Sequence, residues 1–407
     1  MSKRSYVIWL FAGAFFIVLL LPIINYKNDQ WRVLHQDFGH GYTDITINKI
    51  FLKTAYLIEH SNKYKMLMFG SSRNGALVES DIMPESYNAY SDFGVIGNHL
   101  HTLQTLIDQH IVPQKIWIGL NDFDIWKDPK DFMLDYSKMP YPASGKEWFS
   151  FFKLYLFKSI DNNDIAIWTH QTKLEKSNRI YRKNLDQHRK SLIERENNVI
   201  QKGVEWRRYM TQMAPTLLGY QDNEKQYRID QCIEEVKQIV RLAQKHKIET
   251  TFFIYPTFYK TYVYYNQKKI EEFKRKLAEV TDFYDFYRLD NTAFDELKWH
   301  DTSHFLYSVG YQIEQDILHK RHLVTKKNIE NVLREERYLY RSLLQKEFPI
   351  LHILRMHDGI DISGILNSGV IATANGANQL PIIVVVSNPA KIVSPTPIAN
   401  PIDILEF

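Results

Sequence analysis

Short apolar runs that alternate with amphipathic segments constrain the fold of this chain most strongly. Over residues 44–320 the pattern contains three runs that are closed by Gly, Asn or Pro, namely residues 66–69, 116–118 and 251–254. Such runs are typical of buried strands in a parallel sheet. Apolar residues recur at helical spacing on either side of the third run, over 229–243 and 270–280, and predict helices that pack on the sheet. The order of strands and helices predicts an α/β domain with a parallel sheet.

The composition is that of a globular chain. Of 407 residues, 44% are hydrophobic and 24% are charged, which excludes a disordered or fibrous protein. The formal net charge of +4 is too small to indicate a nucleic-acid partner, and none is predicted. Cys232 is the only cysteine, so the chain has no internal disulfide and no C-x-x-C pair. We predict neither a metal site nor another cofactor.

The N-terminal segment carries no charged residue between Ser5 and Tyr26. About 20 apolar residues suffice to cross a bilayer as a helix, and Lys3 and Arg4 before the segment favour a cytoplasmic N-terminus. A cleaved signal peptide is the alternative, but its apolar region is usually shorter and ends in small residues. We predict a single-pass anchor in the inner or plasma membrane over residues 1–26, in contact with membrane lipid. The bulk of the chain then lies outside the cytoplasm.

The predicted α/β domain, residues 27–324, contains an insertion at about 145–222 that is rich in aromatic and then in basic residues. Between Lys173 and Arg208 it has eleven Lys and Arg residues against five Asp and Glu residues. This excess indicates either a solvated helical arm or a face for anionic lipid headgroups or an anionic glycan.

Residues 325–407 are predicted to form a charged helix followed by a tail. The tail sequence R-M-H-D-G-I-D, with S-G-V-I-A-T-A-N-G soon after it, resembles the opening of lysostaphin-type zinc peptidase domains. That resemblance assigns two zinc ligands of an H-x-x-x-D motif to His357 and Asp361. Zinc also needs a third protein ligand, and no histidine follows His357. The tail therefore resembles a truncated peptidase domain, without a working metal site.

Residues that can carry chemistry follow the predicted strands. Ser72 lies in G-S-S-R-N-G, residues 70–75, directly after the first strand, where α/β sheets place their ligands; a turn or a helix cap is the alternative. The second strand ends in G-L-N-D, residues 119–122, whose asparagine amide can hold an oxyanion. Residues 300–304, H-D-T-S-H, contain D-x-x-H, in which a carboxylate can fix the tautomer of a histidine base.

These motifs resemble the sequence blocks of the SGNH, or GDSL-like, hydrolase family. The family's nucleophile is the third residue of the first block, which is Ser72 here, with serine instead of the usual aspartate before it. The second block is a glycine after a strand and is matched by Gly94, with Gly97 as the alternative; the third block is matched by Gly119 and Asn121. The resemblance implies that the Gly94 N–H and the Asn121 side chain belong to an oxyanion hole.

The fourth block is matched by Asp301 and His304, and all four blocks occur in order within about residues 65–320. The resemblance implies a catalytic triad of Ser72, Asp301 and His304. It also implies a flavodoxin-like three-layer α/β sandwich around a parallel sheet, here preceded by one N-terminal transmembrane helix.

The predicted anchor, the G-S-S-R turn and the late D-x-x-H-F block resemble those of bacterial cell-surface acylation proteins, such as the alginate O-acetylation proteins and the D-alanine transfer protein of teichoic acids. Those proteins work beside a multipass membrane O-acyltransferase. The resemblance implies transfer of an acyl group to or from a surface polysaccharide through Ser72. The alternative is a non-catalytic protein that binds glycan or recruits the membrane acyltransferase. In classical GDSL enzymes a hydrophobic residue usually follows the nucleophilic serine, whereas here Arg73 follows Ser72. Arg73 either orients an anionic substrate or forms a structural ion pair.

Overall fold

The computed structural model describes residues 3–132, 135–177, 179–181, 185–213 and 227–347. The helices within these residues are α1 Lys3–Asn28, α2 Lys49–Glu59, α3 Ile96–Asp108, α4 Lys146–Leu156, α5 Asn162–Trp168, α6 Leu185–Gln212, α7 Ile229–His246, α8 Tyr259–Tyr264, α9 Gln267–Ala278, α10 Asn291–Phe294, α11 Tyr307–Leu318 and α12 Ile329–Glu347. The strands are β1 His40–Tyr42, β2 Met66–Phe69, β3 Ser86–Asn88, β4 Lys115–Leu120, β5 Leu174–Lys176, β6 Glu249–Ile254, β7 Phe283–Asp285 and β8 Leu323–Val324.

A six-stranded sheet within the described residues has the order β3-β2-β4-β6-β7-β8. The first five strands are parallel to their neighbours, and β8 is antiparallel to β7. Numbered along the chain, the parallel strands follow the order 2-1-3-4-5, which is that of flavodoxin-like sheets. The three strands predicted from apolar runs are β2 and parts of β4 and β6. The prediction of an α/β fold with a mostly parallel sheet is confirmed.

Helices cover both faces of this sheet. Leu67 and Phe69 of β2 belong to the hydrophobic cluster that includes α2, α3, α7 and α9, whereas Met66 and Met68 belong to a second cluster with α6 and α11. Successive side chains of a strand point to opposite faces. The β2 run is apolar throughout because both of its faces are buried. The sheet therefore forms the middle of three layers.

The helices predicted around the third strand are α7 and α9. The apolar stripe of α7, including Ile233 and Val236, is buried against the sheet, and Cys232 beside it is fully buried. Burial raises the pKa of the Cys232 thiol well above its usual value, since the charged thiolate is disfavoured in an apolar environment. Cys232 is thus a core residue.

The first part of the insertion holds the end of α1. The Asn25 side chain donates to the main-chain oxygens of Leu156 and Lys158 at 2.8 and 2.9 Å. Asn28 Nδ2 donates to Asp164 Oδ1 at 2.7 Å, at the start of α5. Because these buried bonds join segments more than 130 residues apart, α1, α4 and α5 form one packed unit.

The α6 helix of the insertion packs on the main domain. Its side chains Val199, Trp206 and Met210 belong to the second hydrophobic cluster, and Glu196 Oε2 accepts a hydrogen bond from the Ser308 N–H at 2.9 Å. The backbone at Gly203 leaves helical geometry, with φ 43° and ψ −107°. A fully solvated arm therefore does not describe α6.

The predicted N-terminal anchor coincides with α1. Among the residues that the structure describes, no helix combines the length and the apolar character needed to cross a membrane. The predicted transmembrane helix is therefore without support from the structure.

The charged helix predicted after residue 325 is α12, and it packs on the domain through Leu333, Leu343 and Leu344. The fully buried Lys274 ammonium of α9 lies 2.8 Å from Glu336 Oε1 of α12. The peptidase-like tail, with His357 and Asp361, lies outside the described residues.

Candidate active site

Two glycines at the ends of neighbouring strands make room for one tyrosine ring. A Cβ atom on Gly70, after β2, or on Gly119, in β4, would lie 2.0 Å from the Tyr255 hydroxyl oxygen. Tyr255 directly follows β6, is fully buried, and donates to Asn74 Oδ1 at 2.7 Å. The close approach of Tyr255 thus explains both glycines. Tyr255 was not predicted from the sequence, although an aromatic residue at the end of the third predicted strand was a usable signal.

Ser72 begins the short 3₁₀ turn that follows β2 and Gly70. Its Oγ lies 2.8 Å from His304 Nε2, although the two residues are 232 positions apart. His304 Nδ1 lies 2.8 Å from Asp301 Oδ2. The three predicted triad residues therefore form one continuous chain of hydrogen bonds, in the arrangement that a serine needs in order to lose its proton to a histidine.

Asp301 is held as a charged acceptor. Its Oδ1 accepts from the main-chain N–H groups of Ser303 and His304 at 2.7 and 2.8 Å. Burial disfavours the charged carboxylate, but the hydrogen bonds from the His304 ring and these N–H groups outweigh burial and lower the pKa of Asp301 to about 2. The carboxylate is thus ionised at neutral pH and can stabilise a charged imidazole.

Three hydrogen bonds fix the loop that carries Asp301 and His304. One lies within the loop, because the His300 N–H donates to the His304 main-chain oxygen at 2.8 Å. Thr261 Oγ1 donates to the Thr302 oxygen at 2.7 Å. Trp206 Nε1 of α6 donates to the Trp299 oxygen at 3.1 Å. The insertion therefore contributes directly to the support of the candidate acid–base loop.

Arg73 forms a structural ion pair. The side chain is 3% exposed, and its Nη2 lies 3.2 Å from Asp122 Oδ2. Its Nε donates to the Ser303 oxygen at 3.1 Å. Arg73 therefore also joins the 3₁₀ turn that begins at Ser72, called here the nucleophile turn, to the candidate acid–base loop of Asp301 and His304. Of the two alternatives for Arg73, these contacts favour the structural ion pair, because a buried guanidinium is not available to an incoming substrate.

The two predicted oxyanion donors already have acceptors within the protein. The Gly94 N–H donates to the Ser91 oxygen at 3.1 Å. Asn121 is fully buried, and its Nδ2 donates to the Gly94 oxygen at 3.1 Å, while its Oδ1 accepts from Ser71 Oγ at 2.7 Å. The structure brings both residues beside the nucleophile turn but does not direct them to solvent. Their role at an oxyanion stays a prediction.

The Asp124 side chain holds Asn121 in place by hydrogen bonds. Asp124 Oδ2 accepts from the Asn121 N–H at 2.6 Å, and its Oδ1 accepts from the Ile96 N–H at 3.1 Å. Complete burial raises the pKa of Asp124 to about 7, although these hydrogen bonds oppose the increase. Asp124 was not predicted from the sequence, because only the tertiary structure shows that its side chain turns back to the strand end.

The geometry as a whole combines a half-buried serine, a histidine base and an ionised aspartate at the carboxyl end of parallel strands. The sequence matches no protein-family model, and a search of curated proteins finds no significant match. The resemblance to SGNH hydrolases therefore rests on the sequence motifs alone.

Proposed function

We propose that this chain is a serine-dependent O-acyltransferase or esterase of the SGNH type, acting on a surface polysaccharide. The observation that carries the proposal is the hydrogen-bonded chain Ser72–His304–Asp301, with both side-chain distances at 2.8 Å. The glycan acceptor and a multipass membrane O-acyltransferase as partner rest on the sequence resemblance. The basic excess of the insertion supports an anionic glycan.

In the proposed reaction, Ser72 Oγ attacks the carbonyl carbon of an acyl ester while His304 Nε2 takes its proton. The bond from the acyl carbon to the leaving oxygen breaks, and that oxygen takes the proton from His304. A sugar hydroxyl or water then attacks the acyl carbon, and the bond from that carbon to Ser72 Oγ breaks. The proton of the attacking group passes to His304 and from there to Ser72 Oγ. The Ser72 N–H, Gly94 and Asn121 are the proposed oxyanion donors. The last two must first exchange their present acceptors for the substrate.

The second candidate is a non-catalytic protein that binds glycan or recruits a membrane acyltransferase. One observation favours it: Asn121 is fully buried and its amide is bonded within the protein. If Asn121 cannot reach the oxyanion, an activated serine would turn over esters slowly, because losing one such donor typically costs about 10²- to 10³-fold in rate.

Membrane attachment belongs to the proposal on sequence grounds alone. The segment from Ser5 to Tyr26 has no charge, and an apolar segment of about that length is sufficient for a membrane-spanning helix. We propose a single-pass protein of the inner or plasma membrane whose main domain faces away from the cytoplasm.

The experiment that separates the two candidates is labelling of the full chain with a fluorophosphonate probe, together with hydrolysis of a small acetyl ester. We expect labelling and turnover in the wild-type protein and loss of both in Ser72→Ala and His304→Ala. The matched controls are Ser150→Ala and His319→Ala, which change exposed residues outside the site. They should label as the wild type does.

Two outcomes would contradict the proposal. A folded wild-type protein that does not label would favour the non-catalytic candidate. Labelling that persists in Ser72→Ala would mean that another residue is the nucleophile.

A further inference from the structure

Large apolar side chains are exposed on the two short helices that hold the end of α1. Phe149 of α4 is 68% exposed, and five more side chains of this region are 45–49% exposed, namely Trp148, Leu154, Phe157, Ile165 and Trp168. These six residues are called here the α4–α5 patch. Single apolar side chains on a surface are ordinary, but a dense group of large ones usually marks an interaction site.

Hydrogen bonds fix the α4–α5 patch beside the C-terminal end of α1. Trp168 Nε1 donates to Oδ1 of Asn28, the last residue of α1, at 3.1 Å. The main-chain oxygens on both sides of Phe157 accept from the side chain of Asn25, three residues earlier in α1. The patch therefore lies at the point where the chain leaves α1 and enters the main domain.

The α1 helix itself exposes apolar side chains on more than one side. Trp9, Phe11, Phe15 and Phe16 are 64–69% exposed. Because an α-helix has about 3.6 residues per turn, Trp9 and Phe11 point to nearly opposite sides. A protein surface that docked on one side would leave the other in water, whereas lipid can surround a helix. The exposed sides of α1 therefore favour lipid over a protein partner as the cover of this region.

The side chains of α4 suit the boundary between lipid acyl chains and headgroups. Phe149, Lys153 and Phe157 are spaced four residues apart and lie along one side of the helix, and Lys146 at its start is also exposed. Tryptophan is enriched at membrane–water interfaces, as Trp148 and Trp168 would be here. Lysine side chains near the surface are attracted to anionic lipid headgroups.

We propose that the α4–α5 patch lies in the boundary region of a lipid membrane, beside α1. The inference rests on the proposed membrane attachment and adds to it a second lipid contact, which the insertion makes. Because α1, α4 and α5 form one packed unit, the two contacts together fix the orientation of the main domain relative to the membrane.

The test uses the full chain in liposomes of phosphatidylcholine and phosphatidylglycerol, with a nitroxide spin label on one introduced cysteine at a time. The labelled positions are Phe149→Cys and Ile165→Cys in the patch, and Val204→Cys, an exposed position of α6, is the control. Cys232 is fully buried, and the protein without an introduced cysteine gives the background signal. Collisions with oxygen, which concentrates in lipid, are compared with collisions with a water-soluble nickel chelate.

We expect the ratio of oxygen to nickel collisions at both patch positions to be at least about threefold higher than at Val204→Cys, because interfacial helices lie about 5–10 Å inside the boundary. A ratio equal to that of Val204→Cys would overturn the inference. Labels that are immobile and shielded from both reagents would also overturn it, because they would show that a second copy of the chain covers the patch.

A label at Phe16→Cys in α1 separates this inference from the proposed attachment. Lipid contact at Phe16→Cys with water contact at Phe149→Cys would leave the attachment standing and remove the patch. Water contact at both positions would contradict the attachment and the patch together. Fluorophosphonate labelling of the same liposomes reports the acyl chemistry separately: lipid contact at the patch without such labelling would leave the patch standing while the chemistry fails.

Discussion

At the scale of single residues, the proposed role of Asp301 is to make His304 a competent base, because its carboxylate lies 2.8 Å from the imidazole Nδ1. Asp301→Asn should lower the rate of fluorophosphonate labelling by about 10²- to 10⁴-fold, since the amide favours the wrong tautomer of the histidine. Initial labelling rates at pH 7 measure this effect, and Asp282→Asn on the protein surface is the control. A variant that labelled at the wild-type rate would remove Asp301 from the triad.

The same residue predicts a pH dependence of stability. Because the folded-state pKa of Asp301, about 2, is below its ordinary value of 3.8, its contribution to stability is present above about pH 4 and is lost as the pH falls toward 2. The shift corresponds to about 2 kcal/mol. Urea unfolding of the wild type and Asp301→Asn should therefore differ at pH 6, and the two curves should converge toward pH 2.5. A difference that does not change with pH would contradict this assignment.

The residue scale also includes the contact of Gly119 with Tyr255. Gly119→Ala forces a methyl group against a buried ring, which should cost about 1–3 kcal/mol of unfolding free energy. Gly39→Ala is the matched control, because the nearest atom to its added Cβ is 3.6 Å away. Chemical denaturation of both variants gives the comparison, and equal stability would mean that Tyr255 can move aside.

At the scale of elements, one buried lysine joins α9, β7 and α12. Lys274 Nζ lies 2.7 Å from Asp285 Oδ2 and 2.8 Å from Glu336 Oε1, and all three side chains are almost fully buried. Lys274→Ala leaves two buried carboxylates without their cation, so we expect a loss of about 3–5 kcal/mol in the free energy of unfolding. Lys268→Ala, on the exposed side of α9, should change it by less than about 0.5 kcal/mol. A small effect of Lys274→Ala would show that α12 is held mainly by its leucines.

Elements with a strong local signal were predictable from the sequence, and elements fixed by tertiary contacts were not. The strand β2 could be predicted because both of its faces are buried, so that its sequence is apolar throughout. The position of α6 could not be predicted, because its sequence is basic with few apolar residues and does not indicate the tertiary hydrogen bond of Trp206. At the site, Ser72, Asp301 and His304 belong to recognisable motifs. The bonds that occupy Asn121 arise from segments folded around it and leave no local pattern.

At the scale of the whole molecule, the candidate site depends on parts of the chain that are distant in sequence. The nucleophile turn follows β2, which is the first strand of the six-stranded sheet along the chain. The acid–base loop comes after β7, the last parallel strand of that sheet. The insertion packs against that loop from outside through α6. If the insertion only projected into solvent, a substitution in it would leave the mobility of the acid–base loop unchanged. A substitution in a docked insertion must influence the loop.

This difference gives a test on α6. Trp206→Ala removes the hydrogen bond to the Trp299 oxygen and a ring from the second hydrophobic cluster, and such truncations typically cost about 3–5 kcal/mol. We expect faster amide hydrogen exchange at His300 and in the neighbouring loop, together with slower fluorophosphonate labelling. Val204→Ala, on the same helix but 73% exposed, should change neither. Trp206→Phe keeps an aromatic ring and loses only the donor, so it should give an intermediate effect. If exchange in the loop stays at the wild-type rate in Trp206→Ala, α6 contributes stability elsewhere and the insertion does not support the acid–base loop.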